Sequence, residues 1–140
     1  MLGVRKPFSQ GNHDANDIMS RKVVLKYLRS KGYNATENAD KYGIDLCING
    51  KPIIELERRC PFQHKKFPYS TVHIPSRKSK FIESGCIYIV INETYTYGLS
   101  CSSKTIKRYS QIEIPNKSML SGEYFYDVPL SHFILLKLVS

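Results

Sequence analysis

Apolar and polar positions follow two periods along this chain, and the switches between them mark out its elements. Between residues 14 and 31, Ile18, Val24, Leu25 and Leu28 fall on one helical stripe, with Asp14 or Asn16 placed to cap its start and Gly32 to end it. The twelve residues ahead of it, punctuated by Gly3, Pro7 and Gly11, predict a flexible arm. Residues 33–38 predict a short strand, while 44–48 and 52–58 predict stronger ones joined by the turn signal Asn49-Gly50. A loop rich in aromatics and cations fills 61–70. A brief strand at 71–75 then leads to a short basic helix that opens near Pro75 and runs through Phe81. Residues 86–91 form an unbroken apolar run, the pattern of a strand buried on both faces, and 95–101 are expected to pair with it. A weaker basic helix at 103–109 and short strands at 111–114 and 133–138 complete the chain. The order predicts an α/β fold, a mixed central β-sheet flanked by helices.

Charge adds a partner to this outline. Twenty-one Lys and Arg against 12 Asp and Glu leave +9 on 140 residues, while 41% hydrophobic and 24% charged residues describe a folded body, not a disordered tail. The length suits one domain, residues 1–140, and is too short for two. Such a surplus is most simply matched by a polyanion, nucleic acid above all. No stretch has the apolar length of a membrane span, so no membrane partner is expected. Cys47, Cys60, Cys86 and Cys101 show neither CxxC spacing nor histidines at zinc-ligand spacing, and are expected to be reduced, mostly buried thiols of a cytoplasmic protein. There is no phosphate-binding glycine loop, GxSxG elbow or HExxH motif.

In so basic a chain, three acids stand out because they lie in apolar strands: Asp45, Glu55 and Glu57. Desolvation disfavours carboxylates there unless something compensates it, and a divalent cation would. Glu55 and Glu57 are two apart and share a face of an extended strand. Asp45 joins them only in one register. A two-residue loop at Asn49-Gly50 would put the acids on opposite faces, whereas a three-residue loop, or a bulge of the same parity, unites them; the second is predicted. The competing reading places Glu55 and Glu57 on a solvent face, paired with Arg58 or Arg59.

Asp45, nine intervening residues, then Glu55-Leu56-Glu57 on the arm of a hairpin after an N-terminal helix resembles the PD-(D/E)xK nuclease superfamily. The stretch from Phe67 through Thr71-Val72-His73-Ile74-Pro75 to Phe81 is also similar to small phage-type proteins with this core. The resemblance covers about residues 14–92, leaving 93–140 as an expected C-terminal extension of small strands and a short helix. It implies a restriction-endonuclease-like core, Mg²⁺ (or Mn²⁺) as cofactor, and DNA, duplex or branched, as partner. Asp45 and Glu55 become metal ligands, with the backbone carbonyl of Leu56 a third. Ile44-Asp45 stands in place of Pro-Asp, and Glu57 stands where the family usually has Lys, as in the Glu-x-Glu form of some restriction endonucleases; its role becomes base or extra ligand. The family's acid on the first helix maps to Asp17, with Asp14 close behind. A homodimer, suited to cutting both strands, and the cytoplasm of a bacterial or phage-infected cell complete the implication.

Several cations are candidates for the missing lysine or for DNA contacts. Lys78 and Arg77 open the second helix, and Lys80 follows; Lys78 is the candidate for a catalytic role. Lys65 and Lys66 lie beside His64, Phe62, Phe67 and Tyr69, suiting backbone contact with base stacking, although these aromatics equally suit anchoring a loop. Lys104, Lys107 and Arg108 form a second cluster next to Tyr109. His73, among apolar neighbours, is expected to be a core histidine. Two functions follow: a metal-dependent DNA endonuclease, or a non-catalytic nucleic-acid-binding domain with a degenerate nuclease site.

Overall fold

Helix α1 (Gln10–Ser30) ends where the sequence expects, and the reason is local. Gly32 adopts φ 91°, and the amides of Gly32 and Tyr33 bond back to the carbonyls of Arg29 and Leu28, both at 3.0 Å, closing the helix end as a left-handed cap. The structure, a computed structural model, describes the backbone of residues 10–109, 111–116 and 119–139, and side chains at 17–109, 111–113 and 124–139. Residues 10–12 are helical, which corrects the expected arm; its remainder, 1–9, lies outside the described residues.

The strands are β1 (Ala35–Glu37), β2 (Leu46–Ile48), β3 (Lys51–Arg58), β4 (Thr71–Pro75), β5 (Ile87–Ile91), β6 (Tyr97–Ser102), β7 (Gln111–Asn116), β8 (Met119–Pro129) and β9 (Ile134–Lys137). Two short helices, α2 (Ser79–Ser84) and α3 (Ser103–Ile106), precede β5 and follow β6, and a turn of 3-10 helix (Ser76–Lys78) leads into α2. Six strands form a mixed sheet in the order β1-β2-β3-β5-β6-β9, in which β3 and β5 run parallel and the other neighbours antiparallel. One of its faces packs Ile54, Leu56, Ile89 and Ile91 against Val24, Leu25 and Leu28 of α1. The other packs Tyr88, Val90, Leu99 and Cys101 against Ile82, Ile106 and a second sheet, ordered β4-β8-β7, that contributes Val72, Ile74, Tyr126 and Val128. The α/β class and the mixed sheet therefore stand. Strand β8, the longest, has no counterpart among the sequence-based expectations. The segment after residue 92 supplies β6 and β9 to the main sheet and β7 and β8 to the second, together with the short helix α3.

Candidate active site

The β2–β3 hairpin sets the geometry of the acids. Asn49 (φ 51°) and Gly50 (φ 79°) both take left-handed conformations, so the turn is a two-residue loop of type I′ character that pairs Ile48 with Lys51 and Cys47 with Pro52. The anticipated three-residue loop is absent. The register nonetheless slips between Leu46 and Cys47, where Leu46 pairs with Ile54 and Ile53 becomes the extra residue of a bulge. One inserted residue reverses the parity, as the bulge alternative requires, and brings Asp45 alongside Glu55. The Asp45 amide donates to Glu55 Oε1 at 3.3 Å, and the Leu56 amide donates to Asp45 Oδ2 at 2.9 Å.

Glu55 is buried and Asp45 half-buried. Lys78 Nζ, itself nearly buried, donates to Glu55 Oε2. Burial and the neighbouring Asp45 carboxylate push the Glu55 carboxyl up to about 7, against the opposing pull of Lys78. Asp45 is also raised, by burial above all, with the Leu56 amide working against the shift. One ammonium thus faces two carboxylates that both resist ionisation.

These groups floor a cleft of about 490 Å³, walled by Asp17 and Ser20 from α1, Lys41, Tyr42 and Gly43 from the loop before β2, Arg58 and Cys60 at the end of β3, and Arg77, Lys78 and Phe81 from the second-helix region. Asp17 reaches the cleft but is ion-paired with Arg21, which extends to Glu37 at 2.9 Å. The side chain of Asp14 lies outside the described residues. Glu57 also lines the cleft, yet both its oxygens are engaged: Arg59 Nε donates to one at 2.6 Å, and the fully buried Tyr88 hydroxyl donates to the other. Glu57 is thus a paired carboxylate, held by Arg59 and Tyr88.

Among the described residues, no three His, Cys, Asp or Glu side chains gather at metal-binding distance. The donor set is two carboxylates, Asp45 and Glu55, with Leu56 between Glu55 and Glu57 also lining the cleft. That number and chemistry fit Mg²⁺, which takes one or two carboxylates and keeps waters, and do not fit a closed zinc site.

The cations divide. Arg77 and Lys78 line the cleft, joined by Lys41 and Arg58, which the sequence did not single out. Arg58 is committed to the Glu93 carbonyl (2.8 and 3.2 Å) and to the Tyr95 ring, 4.9 Å from its centroid. Lys65, Lys66, Lys80, Lys104, Lys107 and Arg108 are exposed and do not line it. Phe62 and Phe67 are buried edge-to-face with centroids 5.6 Å apart, so they anchor their loop and are closed to bases; Tyr69 is exposed. His73 is half-exposed, not a core residue, with Nε2 3.1 Å from Asp127. A larger hollow of 570 Å³ beside residues 93–97 carries a single carboxylate, Glu93.

The cysteines are free. Cys47, Cys86 and Cys101 are buried, and burial pushes the Cys86 and Cys101 thiols up to about 12 and about 11, whereas Cys60 is exposed on the cleft wall. Brief treatment of the native protein with N-ethylmaleimide is therefore expected to modify Cys60 well before the other three, read by peptide mass spectrometry. Equal modification at Cys86 would contradict the packing around β5.

No family model, curated protein or solved structure matches the chain. Among the described residues, no helix is long and apolar enough to cross a membrane.

Proposed function

We propose that this protein is a Mg²⁺-dependent DNA endonuclease with a restriction-endonuclease-like core. The observation that carries the reading is the Asp45–Glu55 pair, two carboxylates brought together by a bulged hairpin and compensated by one lysine. Removing a carboxylate from water costs several kcal/mol even after relaxation. A domain that only binds a polyanion gains nothing from acids at its centre, because they repel phosphate. The order of elements in the main sheet supports the same core: a helix, three antiparallel strands, then, after β4 of the second sheet, a short helix and a strand parallel to the third.

Bound Mg²⁺ supplies neutralisation of phosphate charge and a water of lowered pKa. Asp45, Glu55 and the Leu56 carbonyl are the groups to hold it, and the Leu56 amide keeps Asp45 oriented. Lys78, in contact with Glu55, is placed to steady the attacking water or the charge growing on the phosphoryl oxygens. Arg77 and Lys41 stand on the walls where neighbouring phosphates would lie. Glu57, held by Arg59 and Tyr88, fixes the end of β3. Cleavage of both strands of a duplex calls for a second copy of the chain.

Supercoiled plasmid and branched DNA incubated with Mg²⁺ or Mn²⁺ test the reading: nicked or shortened products are expected with either metal and none with EDTA. DNA binding with no metal-dependent cutting of any substrate would overturn it in favour of a non-catalytic binding domain. Lys78→Met is expected to lower kcat by about 10²-fold with a smaller change in KM, as for loss of one charge-stabilising donor. An unaltered kcat would remove Lys78 from the chemistry.

A further inference from the structure

The loop that leads into Asp45 carries an aromatic side chain for which the fold has no use. Tyr42 is 76% exposed, the most exposed large hydrophobic residue among those described. Its loop is nevertheless tightly held. The Asp40 amide donates to Asn38 Oδ1 at 3.1 Å, the Tyr42 amide to Asp40 Oδ1 at 3.0 Å, and Asn38 Nδ2 to the Ile44 carbonyl at 2.8 Å. A Cβ on Gly43 would lie 2.9 Å from Asn38 Nδ2 and 3.2 Å from Asp40 Oδ2, so a side chain there would press on the two groups that brace the loop. It ends on the Asp45 carbonyl, which accepts from the Asn38 amide at 3.1 Å. The backbone of Tyr42 is thus tied to the segment that carries Asp45, while its side chain contributes little to the core.

Tyr42 and Phe81 line two hollows at once: the acidic cleft, and a shallower groove of about 360 Å³ on its far side. The Lys41 ammonium stands 5.4 Å from the Tyr42 ring centroid, and Lys80, which lines the groove, stands 4.9 Å from that of Phe81. Tyr42, Gly43 and Phe81 line both hollows, so the two adjoin at an aromatic ridge with Lys41 and Lys80 beside it; Asp40 is the carboxylate lining the groove. Alternating π faces and positive charge hold a single nucleic-acid strand by stacking and backbone attraction. A base inside a duplex already has both faces covered by its neighbours and offers Tyr42 nothing to stack on.

We infer that the cleft takes an unpaired DNA strand, such as an overhang, flap or junction arm, with one base stacked on Tyr42 beside the scissile phosphate. This rests on the nuclease reading above and narrows its substrate. Fluorescence anisotropy with a labelled single-stranded DNA 15-mer, the same sequence as a blunt duplex, a flap duplex and a single-stranded RNA, all in EDTA, tests it. The single strand and the flap are expected to bind about tenfold or more tightly than the duplex; Tyr42→Leu should remove that advantage and Tyr42→Trp keep it, with unchanged thermal melting. Equal affinity for duplex and single strand, or a Tyr42→Leu variant that binds like wild type, would overturn the inference, as would tighter binding of RNA than of DNA. Failure of the nuclease reading looks different: strand binding that depends on Tyr42, with no cleavage in Mg²⁺ or Mn²⁺.

Discussion

Asp45→Asn and Glu55→Gln are each expected to reduce Mg²⁺-dependent DNA cleavage by roughly 10³-fold while leaving DNA binding intact or tighter. Both changes keep shape and remove charge. The asparagine side chain retains an oxygen for the Leu56 amide, and the glutamine side chain retains one for Lys78, at the cost of the longer bond from the Asp45 amide to the other Glu55 oxygen. What disappears is half the anionic donor set for the cation, together with part of the repulsion felt by an incoming phosphate. Glu57→Gln provides the contrast. Its oxygens serve Arg59 and Tyr88, so the variant is expected to lose about 1–3 kcal/mol of stability and to cut at a rate within about tenfold of wild type. Plasmid-nicking time courses alongside anisotropy measure both properties. Parallel loss of binding and cleavage in Asp45→Asn would assign that acid to the fold instead of the chemistry.

The elements with a clear period were legible in the sequence. The α1 stripe from Val24 to Leu28, the Asn49-Gly50 turn and the apolar run of β5 each carry local signals that tertiary structure reinforces, whereas Ile18, expected on the same stripe, is exposed. Strand β8 was not legible, because Gly122 and Asp127 interrupt its pattern and its inward residues, Tyr126 and Val128, pack beside Ile74 and Val72 of β4, some fifty residues earlier. The bulge at Ile53 illustrates a different limit. Turn chemistry at Asn49-Gly50 fixes a two-residue loop, and that loop alone would separate the acids; the compensating slip has no marker in residue type.

The site divides in the same way. Spacing along an extended strand put Glu55 and Glu57 on one face, and both do line the cleft. What Glu57 does there depends on Tyr88, thirty-one positions away, whose hydroxyl no local pattern assigns. Lys78 meets Glu55 across twenty-three residues because the 3-10 turn ahead of the second helix stands at the cleft wall, a placement suggested by the resemblance and not by periodicity. Tyr42 was invisible for the opposite reason. A polar loop with one aromatic residue looks like any surface connection until its side-chain bonds show that it is rigid.

Without divalent metal, the wild-type chain is expected to lose stability relative to Glu55→Gln as pH rises from about 4.5 to about 7. The sign follows from proton binding. Glu55 holds its proton more tightly in the folded chain, at about 7, than the ordinary value of 4.5 that applies when unfolded. Between those limits the folded state carries the extra proton, so its advantage is complete below 4.5 and is lost as pH climbs through 7. Over the window the difference is on the order of 3 kcal/mol, or about 10 °C in Tm for a chain of this size. Comparison with Glu55→Gln cancels groups that do not interact with Glu55, leaving the Asp45–Glu55 pair as the source of the difference. A cation bound by the ionised pair competes with that proton, so Mg²⁺ or Mn²⁺ should raise the wild-type Tm more at about pH 8 than at about pH 5, and should do little for Glu55→Gln. Melting curves at several pH values, with EDTA and with metal, give both comparisons. Parallel wild-type and Glu55→Gln profiles across the window would mean that Glu55 ionises without penalty, and the under-compensated carboxylate pair on which metal binding depends would then not exist.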